Sequence, residues 1–299
     1  MTKRPVSRLE RVIPRGPSSQ VDNKQMVIGA EGWEATSPFL FLSEDWFAPP
    51  GGFEEHPHRG MQTVTIVLEG ALEHRDHTGA HGILNAGDVQ WMTAGRGVLH
   101  SEMPQGPVHT LQLWLNLPAK LKMIPARYQD QRLADTPARK LSDGQVRVYA
   151  GRSGDVEHAH GSDYPMWLLD IALRSQGRFS QEVPAAYRGF LYVLEGQANV
   201  GGKDVKAGDV AWFEPGGGDE LAIAAQADFR GLLFAGEPIH EPAVAYGPFV
   251  MNTKQEIQQA FTDYQQTRFG GWPWQSDDPV HARDQTRFAK HADGRLETP

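Results

Sequence analysis

The chain has 299 residues, with 29 Lys and Arg against 37 Asp and Glu, which gives a formal net charge of −8 at pH 7. A mildly acidic protein does not attract phosphate backbones, so direct binding to nucleic acid is not expected. The absence of cysteine excludes disulfides and thiolate ligands. No run approaches the ~18 apolar residues of a membrane span, and no apolar stretch follows the basic N-terminal segment. We therefore expect a cytoplasmic protein without membrane contact.

Short apolar runs alternate with Gly, Pro, Asp and Asn along most of the chain. They are rich in β-branched and aromatic residues, as at residues 63–68, 89–92, 111–115, 167–171 and 232–234. This pattern is typical of strands in an all-β sandwich or barrel.

One segment near the C-terminus has helical periodicity. Thr253 and Glu256 have the spacing of a capping box, in which each side chain accepts a hydrogen bond from the backbone N–H of the other residue. Apolar residues then recur every three or four positions, at Ile257, Ala260, Phe261 and Tyr264. The sequence predicts one helix here, ending before Gly270. The polar tail beyond it is expected to lie irregularly over the protein body, with Trp272 and Trp274 as anchors.

Two short motifs occur twice in the same order. Val-Leu-Glu-Gly at residues 67–70 recurs at 193–196, and Ala-Gly-Asp-Val at 86–89 recurs at 207–210. Matched motifs in matched order indicate two copies of one β-unit. We place the boundary in the Pro-, Gly- and Ser-rich stretch between residues 137 and 163. The predicted lobes are an N-terminal one, residues 1–140, and a C-terminal one, residues 141–299.

Histidine pairs carry the clearest chemistry in the sequence. His56 and His58 are separated by one residue, and on a strand such positions project to the same side, so both imidazoles can bind one ion. His100 and Glu102 have the same spacing. Two predicted hairpins lie between the pairs, which would let the two segments face each other across a barrel. Three neutral imidazoles and one carboxylate suit a divalent first-row metal with open coordination positions.

Other histidines fit a metal site less well. His158 and His160 form a second pair, but no further pair follows them. His74, His77 and His81 surround a turn at residues 76–79 and are interpreted as solvating it. The remaining histidines lack a partner pattern: His109, His240, His281 and His291. Pairs also arise by chance in a chain with 12 histidines, so spacing alone leaves open whether a metal binds.

Four segments closely resemble the pirin family of the cupin superfamily: residues 56–60 (HPHRG), 87–104 (GDVQWMTAGRGVLHSEMP), 116–120 (NLPAK) and 246–253 (YGPFVMNT). This resemblance covers most of the chain. It implies an all-β bicupin with two β-barrel or jelly-roll lobes and one C-terminal helix. It also implies one metal ion in the N-terminal lobe, held by His56, His58, His100 and Glu102. The best-known members hold iron, here Fe(II), and Zn, Ni, Mn, Co or Cu are the alternatives.

The chain departs from the family pattern at two places. Pirins usually have Glu four residues after the second His of the first motif, but this chain has Gln62. A neutral amide cannot act as a general base there, although it can still hydrogen-bond a ligand. In the C-terminal copy the positions equivalent to the metal ligands are Glu182, Pro184 and Leu221. We therefore expect the second lobe to be metal-free.

The resemblance implies two functions. Several pirins act as quercetin 2,3-dioxygenases, in which a flavonol chelates the metal and is cleaved with O₂. Others are non-catalytic regulators that bind a protein partner, with the metal as cofactor or redox sensor. The first hypothesis is a metal-dependent dioxygenase with a small aromatic substrate, and the alternative is the regulator. A sugar-phosphate isomerase would require more cations near the metal than Arg59 and Arg96.

Few other residues are candidates for the site. Arg59 and Gln62 are weak candidates for a catalytic role. Arg59, Trp91 and Gln112 are candidates for lining a pocket, although core packing is the favoured interpretation of Trp91.

Overall fold

A computed structural model of the protein describes residues 2–29, 32–158, 161–276, 288–291 and 293–298. These residues form mainly antiparallel β-structure, as the alternating apolar runs predict. The strands, in chain order, are β1 (Arg8–Arg11), β2 (Ile13–Pro14), β3 (Asn23–Ile28), β4 (Phe39–Phe47), β5 (Phe53–His58), β6 (Met61–Glu69), β7 (Ala71–Asp76), β8 (His81–Asn85), β9 (Val89–Thr93), β10 (Val98–Pro104), β11 (Val108–Asn116), β12 (Arg127–Gln131), β13 (Ala138–Leu141), β14 (Gly144–Ser153), β15 (Val156–His158), β16 (Met166–Leu173), β17 (Arg178–Glu182), β18 (Arg188–Glu195), β19 (Gln197–Val200), β20 (Lys203–Lys206), β21 (Asp209–Phe213), β22 (Glu220–Ala225), β23 (Phe229–Gly236), β24 (Val244–Tyr246), β25 (Phe249–Met251), β26 (Ala289–Lys290) and β27 (Leu296–Glu297).

Helices are few. They are α1 (Trp33–Thr36) and α2 (Lys254–Thr267), with 3₁₀ turns at Ala119–Leu121, Leu133–Asp135 and Arg268–Gly270. In the described ranges, no helix is long and apolar enough to cross a membrane.

Contacts within the chain divide it into two compact lobes, neither of which is one continuous segment. The N lobe comprises residues 14–31, 39–133 and 239–299, and the C lobe comprises residues 1–13, 32–38 and 134–238. This division differs from a single boundary at residue 140. The N-terminus joins the C lobe because β1 pairs with β21. The segment after residue 239 joins the N lobe, where the Val250 N–H donates to the Arg59 carbonyl at 3.0 Å.

The N lobe consists of two antiparallel sheets packed face to face. One has the strand order β12-β9-β6-β11-β4-β3-β2, and the other has the order β27-β26-β8-β7-β10-β5. Apolar side chains from both sheets are buried between them, among them Phe47, Val67, Leu72 and Leu84. Both predicted ligand segments lie in the second sheet.

The C lobe repeats this arrangement. Its larger sheet has the order β1-β21-β18-β23-β16-β14-β13, with β15 added to β14, and its smaller sheet has the order β17-β22-β19-β20. The core between them includes Val148, Leu191, Phe213 and Leu221. The order β9-β6-β11-β4-β3 in the N lobe therefore matches β21-β18-β23-β16-β14 in the C lobe. The all-β prediction of two related lobes is confirmed, but within the described residues the sheets are open rather than closed barrels.

The repeated Val-Leu-Glu-Gly motif has the same role in both lobes. Gly70 and Gly196 follow β6 and β18 with φ of 80° and 75°, a conformation that L side chains rarely adopt. A Cβ on Gly70 would lie 2.2 Å from the Pro107 carbonyl oxygen, and one on Gly196 would lie 1.8 Å from that of Asp228. Both turns therefore require glycine for dihedral and steric reasons.

The predicted capping box and helix are confirmed in α2. The Thr253 hydroxyl accepts a hydrogen bond from the Glu256 N–H at 3.1 Å, and the Glu256 carboxylate accepts one from the Thr253 N–H at 2.8 Å. Ile257 and Ala260 are buried in a cluster with Phe249. The one-turn α1 was not predicted, since four residues are too few to show a period.

The C-terminal tail is anchored as expected at one of its two tryptophans. The Trp274 Nε1 donates to the Asp76 carbonyl at 2.8 Å, and the Arg75 guanidinium lies 4.5 Å from the Trp274 ring. Trp272 instead donates to Ser276 within the tail. The tail is not wholly irregular, because β26 pairs with both β8 and β27. Residues 277–287 lie outside the described residues.

A buried lysine holds the turn that follows β5. Lys122 is 1% exposed, and its ammonium donates to the Gly60 carbonyl at 2.8 Å, the Asn116 side chain at 2.7 Å and the Val250 carbonyl at 3.0 Å. Burial lowers the pKa of Lys122 to about 7. Three acceptors thus surround a group that loses its charge more readily than a lysine in water.

This burial predicts a pH-dependent contribution to stability. Because the pKa of Lys122 is lower in the folded chain than in the unfolded one, the unfolded chain binds more protons between pH 7 and 10, and stability from this group rises with pH. Lys122→Met removes the titration and leaves two buried carbonyls unsatisfied, at a cost of about 2–4 kcal/mol at pH 7. The difference in unfolding free energy between wild type and Lys122→Met, measured by urea unfolding, should be larger at pH 9.5 than at pH 7 by about 1–3 kcal/mol. A gap that stays constant or narrows would contradict this prediction.

Candidate metal centre

The two predicted ligand segments are neighbouring strands of one sheet. β5 and β10 pair antiparallel, with His100 opposite His56 and Val98 opposite His58. The expectation that the segments face each other across a barrel was wrong, because a directly hydrogen-bonded pair brings them together. Alternate residues of a strand share a face, so the three histidines project to the same side of the sheet.

Those three imidazoles form a compact cluster. The ring centroid of His56 lies 4.9 Å from that of His58 and 4.2 Å from that of His100, and the His58 and His100 centroids are 5.1 Å apart. One nitrogen of each ring lies within 4.8 Å of a nitrogen of each of the other two. His58 and His100 are buried, and among the described residues none of their ring nitrogens has a hydrogen-bond partner of normal geometry, although the Pro248 carbonyl interacts with His58 and opposes the lowering of its pKa. The His56 Nδ1 lies 2.7 Å from the Glu54 carbonyl oxygen, which leaves Nε2 as its ligand nitrogen.

Burial keeps the imidazoles neutral. Removal from water lowers the pKa of His58 and His100 well below the usual value, and the neighbouring imidazoles lower it further. The pKa of His56 is also lowered by burial, although the charge of Glu102 opposes the shift. Neutral imidazole is the form that binds a metal, so the cluster is in its ligating state at neutral pH.

This arrangement fits a divalent metal ion. A buried polar atom without a partner costs free energy, and one ion would satisfy His56, His58 and His100 at once. Imidazole nitrogen with one nearby carboxylate is a donor set that suits Fe, Zn, Ni, Co, Cu or Mn.

Glu102 lies beside the cluster and is already oriented by other side chains. It follows His100 by two residues, and the register between β5 and β10 shifts between those positions. One Glu102 oxygen accepts from the Thr65 hydroxyl at 3.0 Å and the other from the Gln112 amide at 2.7 Å. A carboxylate offers about four acceptor positions, so capacity for a metal is left. Glu102 as the fourth ligand stays a prediction.

The cluster opens onto a cavity of about 130 Å³ between the two sheets of the N lobe. Phe41, Phe53 and Trp114 supply aromatic walls. Gln112 also lines this cavity, and it accepts a hydrogen bond from the Trp114 indole at 3.2 Å while donating to Glu102. The predicted pocket residue Gln112 thus orients Glu102, the predicted fourth ligand.

The contribution of β4 to the cavity wall was not predicted from the sequence. Phe41, Ser43, Asp45 and Phe47 all line the cavity, as does Lys24 from β3. Their alternation along β4 is visible in the sequence, since every second residue of a strand faces the same side. The segment was overlooked because it contains no histidine and no recognised motif.

Arg59 faces away from the cavity of the metal cluster. Its guanidinium donates to the Asp263 carboxylate at 2.7 Å and to the Arg96 carbonyl at 2.6 Å, and it lies over the Phe269 ring. Arg59 and Arg96 line a separate cavity that also contains His77.

Gln62 and Trp91 are also absent from the cavity wall. Gln62 is fully buried and donates to the Thr93 hydroxyl at 3.1 Å. It precedes Thr65 by three positions on the regularly paired β6, so it faces the opposite side of the sheet. Trp91 is a core residue whose indole donates to Gln131 at 3.1 Å, in agreement with the favoured interpretation.

One of the discounted histidines requires correction. His74 does not solvate the turn at residues 76–79: it is fully buried on β7, with its ring centroid 5.4 Å from that of His100. The Asp76 carboxylate holds that turn instead, accepting from the Thr78 N–H at 2.8 Å. His158 lies on β15, whereas His160 and His281 lie outside the described residues.

The histidine cluster predicts which substitutions weaken metal binding. His100→Ala removes one of the three predicted histidine ligands and should weaken Zn(II) binding by more than about 100-fold, and Glu102→Gln should weaken it by about 10–100-fold. His158→Ala, from the other histidine pair, is the matched control and should keep full stoichiometry. Metal content after dialysis against a competing chelator measures all three. Equal metal retention by His100→Ala and His158→Ala would refute the assignment.

This chain is similar to known proteins over most of its length. The family model described as pirin matches residues 20–115, and the model described as the pirin C-terminal cupin domain matches residues 168–270. A pirin-like protein of Solanum lycopersicum is 42% identical over 243 residues, which cover 80% of this chain and 84% of that protein. Human pirin is 37% identical over 254 residues, covering 81% and 86%. The crystal structure of a quercetin 2,3-dioxygenase from Acinetobacter baumannii superimposes with a TM-score of 0.83 at 31% identity, covering 90% of this chain and 99% of that one. The chain therefore belongs to the pirin family.

Proposed function

We propose that this protein is a metal-dependent dioxygenase that cleaves a flavonol of the quercetin type with O₂. The observation that supports this most is the cluster of three neutral imidazoles beside an aromatic-walled cavity, in which the ring nitrogens of His58 and His100 have no hydrogen-bond partner of normal geometry among the described residues. The similarity to the quercetin 2,3-dioxygenase of Acinetobacter baumannii over nearly the whole of both chains adds to it.

A bound divalent ion, proposed as Fe(II), would act as a Lewis acid that lowers the pKa of a chelated 3-hydroxyl. The protein's own groups position and shield the substrate. Phe41 and Trp114, whose ring centroids are 5.3 Å apart, offer an apolar wall against which an aromatic ring can pack. Thr65 and Gln112 fix Glu102 beside the imidazoles.

The overall reaction balances without a further reductant. Both C–C bonds of the flavonol that flank C3 break, C3 leaves as carbon monoxide with its own oxygen, and both atoms of O₂ remain in the depside product. The substrate itself is oxidised, so the protein needs no electron donor and no cysteine.

Anaerobic purification followed by Fe(II) loading tests the proposal. The loaded protein should consume O₂ and quercetin and release carbon monoxide in equal amounts, measured by an oxygen electrode and by gas detection. His58→Ala should lose both metal and turnover, whereas His158→Ala should retain them. Full metal loading without carbon monoxide would reject the dioxygenase and favour the alternative, a metal-dependent regulator that binds a protein partner.

The position of Gln62 predicts that a carboxylate there brings no gain. Gln62→Glu would bury a charge opposite the Thr93 hydroxyl, on the side of β6 that faces away from the cavity. We expect unchanged or lower turnover, and a loss of about 1–3 kcal/mol in unfolding free energy. Urea unfolding and carbon monoxide release measure the two effects. Higher turnover at wild-type stability would show that Gln62 does act on the site.

A further inference from the structure

The cavity wall contains a buried carboxylate, that of Asp45, in addition to the imidazole cluster. Asp45 is 2% exposed, and one of its carboxylate oxygens accepts a hydrogen bond from the Ser43 hydroxyl at 2.7 Å. The other oxygen makes only a long contact, 3.4 Å, with the Lys24 ammonium. The Lys24 side chain is 26% exposed whereas that of Asp45 is 3% exposed, so Lys24 lies on the solvent side of the carboxylate.

This carboxylate retains capacity to accept a hydrogen bond inside the cavity. It has about four acceptor positions, of which Ser43 uses one and Lys24 approaches a second. Burial raises the pKa of Asp45, while Lys24 opposes the shift. A buried acceptor with spare capacity is favourable when a ligand donates to it and costly when nothing does.

Strand geometry sets the distance between Asp45 and the metal cluster. Ser43 lies opposite Gln112, the residue that bonds Glu102, and Asp45 lies opposite Thr110. Two residues along a strand span about 7 Å. Asp45 is therefore displaced by about 7 Å along β4 from the level of the Gln112–Glu102 contact.

The volume of the cavity limits what fits between these two ends. At about 130 Å³ it is close to the ~150 Å³ of an engineered cavity that binds benzene, and well below the ~300 Å³ typical of sites for drug-sized ligands. Phe41 and Trp114 on its wall suit the face of a planar ring. A volume of this size matches one ring, which could turn a chelating edge toward the histidines and its opposite edge toward Asp45.

We propose that Asp45, held by Ser43 and Lys24, is a specificity-determining residue that accepts a hydrogen bond from a hydroxyl on a single-ring chelating ligand. The hydroxyl lies across the ring from the pair of oxygens that binds the metal. This inference rests on the metal site of the proposed function and goes beyond the quercetin-type flavonol: it assigns to the same site a second class of ligand, single hydroxylated rings that match the size of the cavity.

Two matched pyranones test this directly. 5-Hydroxy-2-methyl-4-pyranone and 5-hydroxy-2-(hydroxymethyl)-4-pyranone share the same chelating edge and differ by one hydroxyl on the far side of the ring. Zn(II)-loaded protein is used because zinc does not react with O₂, and dissociation constants are measured by calorimetry. Wild type should bind the hydroxymethyl compound about tenfold more tightly, the value of one hydrogen bond to a charged acceptor.

Variants of Asp45 assign the preference to this side chain. Asp45→Leu should bring the ratio of the two dissociation constants to about one, and Asp45→Asn, which preserves shape, should reduce it. Glu44→Gln is the matched control: Glu44 is a buried neighbour on β4 that pairs with His109, and it should keep the wild-type ratio. Equal zinc content in all four proteins shows that the folded site is intact.

The outcomes separate this inference from the dioxygenase proposal. A wild-type ratio near one, no binding of either pyranone, or an undiminished ratio in Asp45→Leu would overturn the role of Asp45, whatever the turnover of quercetin. An Asp45-dependent ratio without carbon monoxide release would support the binding role and reject only the proposed reaction.

Discussion

The N lobe is constrained above all by the burial of imidazole nitrogens that have no hydrogen-bond partner of normal geometry among the described residues. The pairing of β5 with β10 places His100 opposite His56 and brings His58 beside them, in a region from which water is largely removed. Such groups cost free energy unless a ligand satisfies them. The surrounding hydrogen bonds are organised around this point, since Gln112 orients Glu102 and Lys122 fixes the turn after β5.

The two lobes show how one architecture can be used with and without such a site. β17 and β22 of the C lobe occupy the places of β5 and β10 in the order of the smaller sheet. There Gln181 lies opposite Leu221, and the Gln181 amide donates to the Arg152 and Glu182 carbonyls. Leu221 is apolar, and the Gln181 amide nitrogen is satisfied by backbone carbonyls, although its Oε1 has no hydrogen-bond partner among the described residues. We propose that the C lobe is metal-free, as the sequence analysis expected.

Local sequence signals predicted the parts of the protein that depend on local physics. The histidine spacing, the capping box of α2 and the repeated Glu-Gly turns each need only a few adjacent residues, and each was recognised. The cavity wall depends on the pairing of strands that lie far apart in the sequence, such as β4 with β11, so Asp45 and its alternating partners were missed. His74 and Arg59 were misjudged for the same reason: the burial of His74 and the pairing of Arg59 with α2 are set by tertiary structure.

The most direct measurement is X-ray absorption at the metal edge of protein loaded with Fe(II) under anaerobic conditions, in wild type and in His100→Ala. We expect scattering from three imidazole rings, with light-atom ligands at about 2.0–2.2 Å, and loss of one ring in the variant. A first shell of oxygen alone, or a spectrum that His100→Ala leaves unchanged, would show that the buried imidazoles do not hold the metal.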